Sequence, residues 1–283
     1  MTLIVALLGT MIFTVKAQPV IQFAIILNGS GSINAPDWIL IRTGLANAVS
    51  NPAIMPQTGS VELTIVQFGG IAQVTVPPTV ITPATVVAVV ATINGMAQPG
   101  GMTAMADAIS LAWATVSGSA NFDPAIEQII NLATDGMPNV RNNAATSDLD
   151  SDTVIDAYDD VIAERDNAVA GGLDEFDVEG IAISIVNRNW FRDYVVYPPP
   201  GYVAPPFIGP GWIRVVADAT EFAATIDEKI EVVIPPPRPV GGEWVAINKS
   251  KLLAPWIGLA SLLIVSTVAV SVAYVKHRKK KQT

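Results

Sequence analysis

Apolar residues along this chain fall into two recurring patterns. Near-continuous apolar runs at residues 23–27 and 128–133 each lead into a turn containing glycine, as strands buried on both faces of a parallel sheet do. Residues 60–68 alternate and then run apolar, which predicts a third strand, with 72–76 paired back on it across Gly69-Gly70. Further strands are predicted at 178–186 and 212–217. Between the strands the period changes to that of a helix. Trp38, Ile41, Leu45 and Val49 share one face within 38–49, and Met105, Ile109, Ala112 and Val116 share one after Thr103. Thr82-Pro83 opens another helix, because proline suits a first turn. Residues 152–169 read as an acidic helix stopped at Gly171-Gly172, and 221–230 as the last helix. The Pro- and Gly-rich stretch 197–211 is a long loop, and the aromatic residues of 190–212 either present a contact surface or close a core edge. Strands alternating with helices, without internal repeat, predict an α/β fold built on a doubly wound, mostly parallel sheet.

Three short polar segments punctuate this pattern: Asn28-Gly29-Ser30-Gly31-Ser32, Gly100-Gly101-Met102-Thr103 and Thr134-Asp135-Gly136. The first and third follow the two buried runs, and ligands of open α/β sheets bind at the carboxyl ends of such strands. A hard divalent cation takes oxygen ligands, and Mg²⁺ keeps several waters beside one or two carboxylates. The hydroxyls of Ser30, Ser32 and Thr103 with the carboxylate of Asp135 meet that demand.

In order and spacing, these segments resemble the D-x-S-x-S, G-G-x-T and T-D-G segments of the von Willebrand factor A (VWA) domain and its metal-ion-dependent adhesion site. The resemblance runs over about residues 20–233. It implies a Rossmann-like domain without catalytic activity that binds Mg²⁺, Mn²⁺ or Ca²⁺ through Asn28, Ser30, Ser32, Thr103 and Asp135. It also implies a protein ligand whose carboxylate completes the coordination. One position departs from the family, which places Asp where this chain has Asn28. A unit charge about 4 Å from a cation is worth up to ~4 kcal/mol at an effective dielectric near 20, so weak cation binding is expected, with Asn28 acting through water. The competing reading is a metal-independent polar network at the strand ends, in a structural or assembly module. Asn28-Gly29 is also a deamidation-prone pair, and Asn28-Gly29-Ser30 and Asn248-Lys249-Ser250 match the glycosylation pattern.

A second acidic segment carries Asp148, Asp150, Asp152, Asp156 and Asp159 at positions 1, 3, 5, 9 and 12 of a calcium-loop spacing. Thr153 stands where such loops place Gly, and Asp159 is shorter than the usual Glu. The same acids at a helix start are stabilised by capping and the macrodipole without any metal.

The two ends of the chain change the picture of where it works. Residues 1–17 read as a signal peptide with small residues before the cleavage point at Ala17. Residues 18–234 are the domain, 235–253 a Pro-rich juxtamembrane linker, 254–275 an uncharged span long enough for a transmembrane helix, and 276–283 a basic tail. The positive-inside rule puts that tail in the cytoplasm and the domain outside, as a single-pass cell-membrane protein. Residues 18–245 hold all 25 acidic residues but only 8 basic ones, a net charge of −17. Such a surface repels nucleic acid and favours cations or basic partners. The chain has no cysteine, and its one histidine, His277, lies in the tail, which excludes thiol chemistry and histidine-based triads in the domain.

Overall fold

The computed structural model describes residues 19–234. The expected signal peptide, juxtamembrane linker, transmembrane helix and basic tail lie outside the described residues. Within them, no helix is long and apolar enough to cross a membrane.

Seven strands form one sheet: β1 (Ile21–Asn28), β2 (Val61–Phe68), β3 (Ala72–Val80), β4 (Glu127–Thr134), β5 (Glu175–Ile181), β6 (Tyr202–Ala204) and β7 (Trp212–Val216). Their order is β3-β2-β1-β4-β5-β7-β6, parallel throughout except for β3, which runs antiparallel to β2. Six helices connect them: α1 (Ala35–Ser50), α2 (Val86–Asn94), α3 (Met105–Ser117), α4 (Ala157–Ala170), α5 (Ile185–Trp190) and α6 (Ala219–Val233). The apolar stripe of α1, with Trp38, Ile41 and Leu45, packs with Phe222, Ile226 and Ile230 of α6 against Phe23, Ile25 and Leu27. On the opposite face α3 and α4 bury Ile109, Ala112 and Val161 against Ile26, Ile130 and Leu132. Alternate residues of one strand thus serve two cores, which is why β1 is apolar throughout. Each fully buried Leu, Ile or Phe contributes about 1.5–3 kcal/mol.

Several boundaries differ from the sequence expectation. The strand expected at 178–186 is β5, which begins at Glu175 and ends at Ile181, while Ser184 caps α5 by accepting a hydrogen bond from Asn187 N–H. α5 continues into a wide π-helical turn, Phe191–Val195. The long loop contains the short strand β6. The acidic helix begins at Ala157, not at residue 152, and α2 begins at Val86, after the Thr82 turn. At one edge of the sheet β3 extends through Pro77 and Pro78, and its register with β2 shifts between Leu63 and Val66.

The α1/α6 core holds an unexpected polar cluster. Asn131 of β4 is in register with Asp177 of β5, and Glu179 of β5 with Arg214 of β7. All four are buried, as is Lys229 of α6. Burial first, then the neighbouring Glu175 carboxyl, pushes the Asp177 carboxyl well above its ordinary value of 3.8. A carboxyl whose pKa is raised by folding adds stability that is fully present below its unfolded value and is lost as pH rises toward the folded one. Asp177→Asn is therefore expected to flatten the fall in urea-unfolding free energy above about pH 4 and to stabilise the domain at neutral pH. A variant with an unchanged pH profile would show that Asp177 is ionised in the fold.

Candidate metal centre

The three polar segments meet at the carboxyl end of the sheet. β1 ends at Asn28, and backbone bonds stitch the following turn to its neighbours. Gly29 N–H donates to Phe68 O at 2.7 Å, Gly100 N–H to Gly29 O at 2.9 Å, and Gly31 N–H to Gly101 O at 2.9 Å. Gly70 N–H donates to Gly100 O at 3.0 Å, and Ala104 N–H to Gly69 O at 2.9 Å. Gly100 and Gly101 have φ of +67° and +79°, the left-handed region in which glycine carries no steric penalty. A side chain at Gly69 has no room, because its Cβ would lie 1.9 Å from Gly100 O.

Within this frame Asn28 is fully committed. Ser30 N–H donates to its Oδ1 at 2.9 Å, and only an oxygen can accept there, so the amide NH₂ faces the other way. It donates to Thr134 Oγ1 at 3.1 Å and to Asp135 Oδ1 at 2.8 Å. Thr134 is saturated in turn, donating to Gly136 O at 2.8 Å and accepting from Gly136 N–H at 3.2 Å. The Ser30 and Ser32 hydroxyls lie 2.9 Å apart and share a hydrogen bond. Asn28, Ser30 and Thr103 are buried, Asp135 is half-buried, and Ser32 is exposed.

Two positioning residues carry no sequence motif. Asn139 holds Thr103 from both sides, its Oδ1 accepting from Thr103 N–H at 2.7 Å and its own N–H donating to Thr103 O at 3.2 Å. Gln98 Nε2 donates to Ser30 O at 3.1 Å and to Ile33 O at 2.6 Å, which fixes the first turn. Such contacts pair residues up to 68 positions apart, where no local spacing signals them.

The donor set is three hydroxyls and one carboxylate, all oxygen, which suits a hard divalent cation that keeps several waters. It differs from a two-acid site in one respect. The amide of Asn28 already supplies a donor to Asp135, so this carboxylate has a partner whether or not a cation is bound.

Residues 23–161 match the family model for the von Willebrand factor type A domain. The chain carries a VWA domain. Among solved structures, the VWA domain resembles pilus adhesin SpaC from Lactobacillus rhamnosus GG, with a TM-score of 0.60 at 13% identity over 76% of this chain and 30% of that one. It resembles proximal thread matrix protein 1 from the mussel byssus, in a structure with a zinc-occupied MIDAS motif, with a TM-score of 0.54 at 14% identity over 77% of this chain and 49% of that one. A third likeness is the PilB minor pilin from Streptococcus sanguinis, with a TM-score of 0.53 at 14% identity over 79% and 65%. At such identities the likeness is one of fold. The chain spans less than two thirds of the length of each. Among curated proteins nothing matches.

The second acidic segment divides in the VWA domain. Asp148, Asp150 and Asp152 present carboxylate oxygens within 4.8 Å of one another. Thr153, where calcium loops carry Gly, has φ of +78° and donates its N–H to Asp148 at 2.9 Å. Asp156 and Asp159 do not join this group. They form the capping box of α4, with Asp156 accepting from Tyr158 N–H at 2.7 Å and Asp159 from Asp156 N–H at 2.9 Å. The aromatic residues turn inward to anchor this loop, as Trp190 Nε1 donates to Asp150 Oδ2 at 2.9 Å and Tyr194 Oη to Asp150 O at 3.0 Å. Trp190 also packs edge-on against Tyr158 and Phe191, so this part of the aromatic stretch closes a core edge.

Proposed function

We propose that this protein is a membrane-anchored, cell-surface VWA protein that binds another protein through a weak divalent-cation site. Ser30, Ser32, Thr103 and Asp135 would hold the ion, Asn28 would act through water, and a carboxylate of the partner would complete the shell. The observation that carries this reading is the convergence of the three polar segments, the first two through the Gly29, Gly31, Gly69, Gly70 and Gly100 backbone bonds and the third through the Asn28 side chain, which donates to Thr134 and Asp135. Its surroundings suit a protein partner. Ile71 after β2, Met102 in the turn before α3, and Ile185 and Val186 in the first turn of α5 are 78%, 56%, 67% and 76% exposed and offer apolar contact surface. The adhesin and minor pilin among the structural likenesses agree with a binding role. An N-terminal domain outside the cell and a basic tail inside follow from the sequence of the two ends.

Titration of Mg²⁺, Mn²⁺ and Ca²⁺ into residues 18–245 is the direct test. A saturable isotherm with a dissociation constant on the order of 10⁻³ M, lost in Asp135→Ala, is the expected result. Partner capture that is unchanged by chelator and by Asp135→Ala would remove the cation from the mechanism. The hydrogen bond from Asn28 to Asp135 favours one alternative, in which the polar centre is a metal-independent element of an assembly module. Equal thermal stability in chelator and in millimolar Mg²⁺, with no isotherm, is the result that reading requires.

A further inference from the structure

The buried cluster in the α1/α6 core brings an amine, an amide and a carboxylate into contact. Lys229 Nζ donates to Asn131 Oδ1 at 2.9 Å and lies 2.5 Å from Oε2 of Glu179. The three residues come from α6, β4 and β5, and each is 0% exposed. From these contacts we propose that Lys229 and Asn131 become joined by an intramolecular isopeptide bond, with Glu179 as the proton carrier.

Each part of the cluster has a place in that chemistry. A lysine removed from water is a better nucleophile because its neutral form is favoured. Burial first, partly opposed by Glu179, lowers the Lys229 pKa. The ring of Phe222, 4.8 Å from Nζ, completes the apolar wall on which the amine rests. The hydrogen bond holds Nζ 2.9 Å from Oδ1, the oxygen bonded to the Asn131 carbonyl carbon, and polarises that carbonyl. Asn131 Nδ2, the atom that would leave, is buried without a hydrogen-bond partner.

The bonds and protons balance without any outside reagent. Glu179 takes a proton from the Lys229 ammonium, and the freed lone pair forms the Nζ–Cγ bond to Asn131. Glu179 then returns its proton to Nδ2 as the Cγ–Nδ2 bond breaks and ammonia departs. A second proton leaves Nζ as it becomes a neutral amide nitrogen, and it departs with the ammonia as ammonium. The product also settles the charges of the core. Beforehand Glu179 faces two cations, Lys229 and Arg214. Afterwards Lys229 is neutral and Glu179 remains paired with Arg214 alone, so no buried cation is left in excess.

Mass spectrometry of the purified full chain decides the matter. After denaturation and proteolysis, the segments bearing Asn131 and Lys229 are expected as one linked species, lighter than the two free peptides together by one ammonia (about 17 Da). Lys229→Arg keeps a cation beside Glu179 but has no neutral amine to offer, and it should yield only free peptides. Glu179→Gln, checked as folded by circular dichroism, should also yield free peptides, because the proton carrier is gone. Free, unmodified peptides from folded wild-type protein would overturn the proposal, whatever the variants do. A linked species that persists in Glu179→Gln would overturn the role of Glu179.

Discussion

Asn28→Asp is expected to tighten Mg²⁺ binding from about tenfold up to a thousandfold, the upper value being one further carboxylate charge at about 4 Å in an effective dielectric near 20. The same change should make the fold depend on the ion. In the wild type the Asn28 amide donates to Asp135 at 2.8 Å, so the centre is satisfied without a cation. With a carboxylate in place of the amide, that donor is lost and two acids face each other, which disfavours ionisation of both. The melting temperature of the variant is expected to fall in chelator and rise with Mg²⁺, following the mass-action gain of a ligand that binds only the folded state. That of the wild type should move little. Calorimetric titration beside thermal unfolding in both buffers reads both effects, and a variant that binds no more tightly than wild type would mean that the donor set does not face a shared ion.

Gly69→Ala is the second large effect, and it acts through space, not charge. The new Cβ would lie 1.9 Å from Gly100 O, 2.9 Å from Gly100 C and 3.1 Å from Pro99 Cβ, and the first two are backbone atoms that cannot rotate away. Relief requires the 99–103 turn to move off the end of β1, breaking the bonds from Gly70 N–H to Gly100 O, Gly100 N–H to Gly29 O and Ala104 N–H to Gly69 O. At about 1 kcal/mol for each exchanged hydrogen bond, the expected cost is about 2–4 kcal/mol in chemical denaturation. Cation binding should be lost with it, because Thr103 travels with the turn. Wild-type stability together with wild-type binding would show that the turn is loosely held.

The parts of the domain that follow local rules were legible in the chain. The glycine-punctuated strand ends and the hydroxyl-bearing turns located all three segments of the candidate centre, because backbone approach and oxygen donors demand particular residue types. What escaped was set by distant partners. The Ile-Ser-Ile-Val run at 183–186 has strand propensity, yet Ser184 caps α5 there and β5 lies earlier, across Glu175, Asp177 and Glu179. Three acids in seven residues argue against a central strand until Arg214 and Lys229, 35 and 50 positions later, are seen to receive Glu179. Likewise, the weakened charge at Asn28 was visible in the sequence, but its hydrogen bond to Asp135, 107 positions on, was not.

Both edges of the sheet carry proline, within β3 and directly after β6. The outer strand β3 carries Pro77 and Pro78, which offer no N–H outward, and β6 is three residues long and runs directly into Pro205 and Pro206. An open strand edge is a template on which a second copy can pair and grow. Here proline interrupts the row of donors at both edges, which disfavours extension of the sheet from one copy to the next. The domain is thereby suited to dense display: many copies can crowd together without polymerising, and encounters between them are left to their loops and charges.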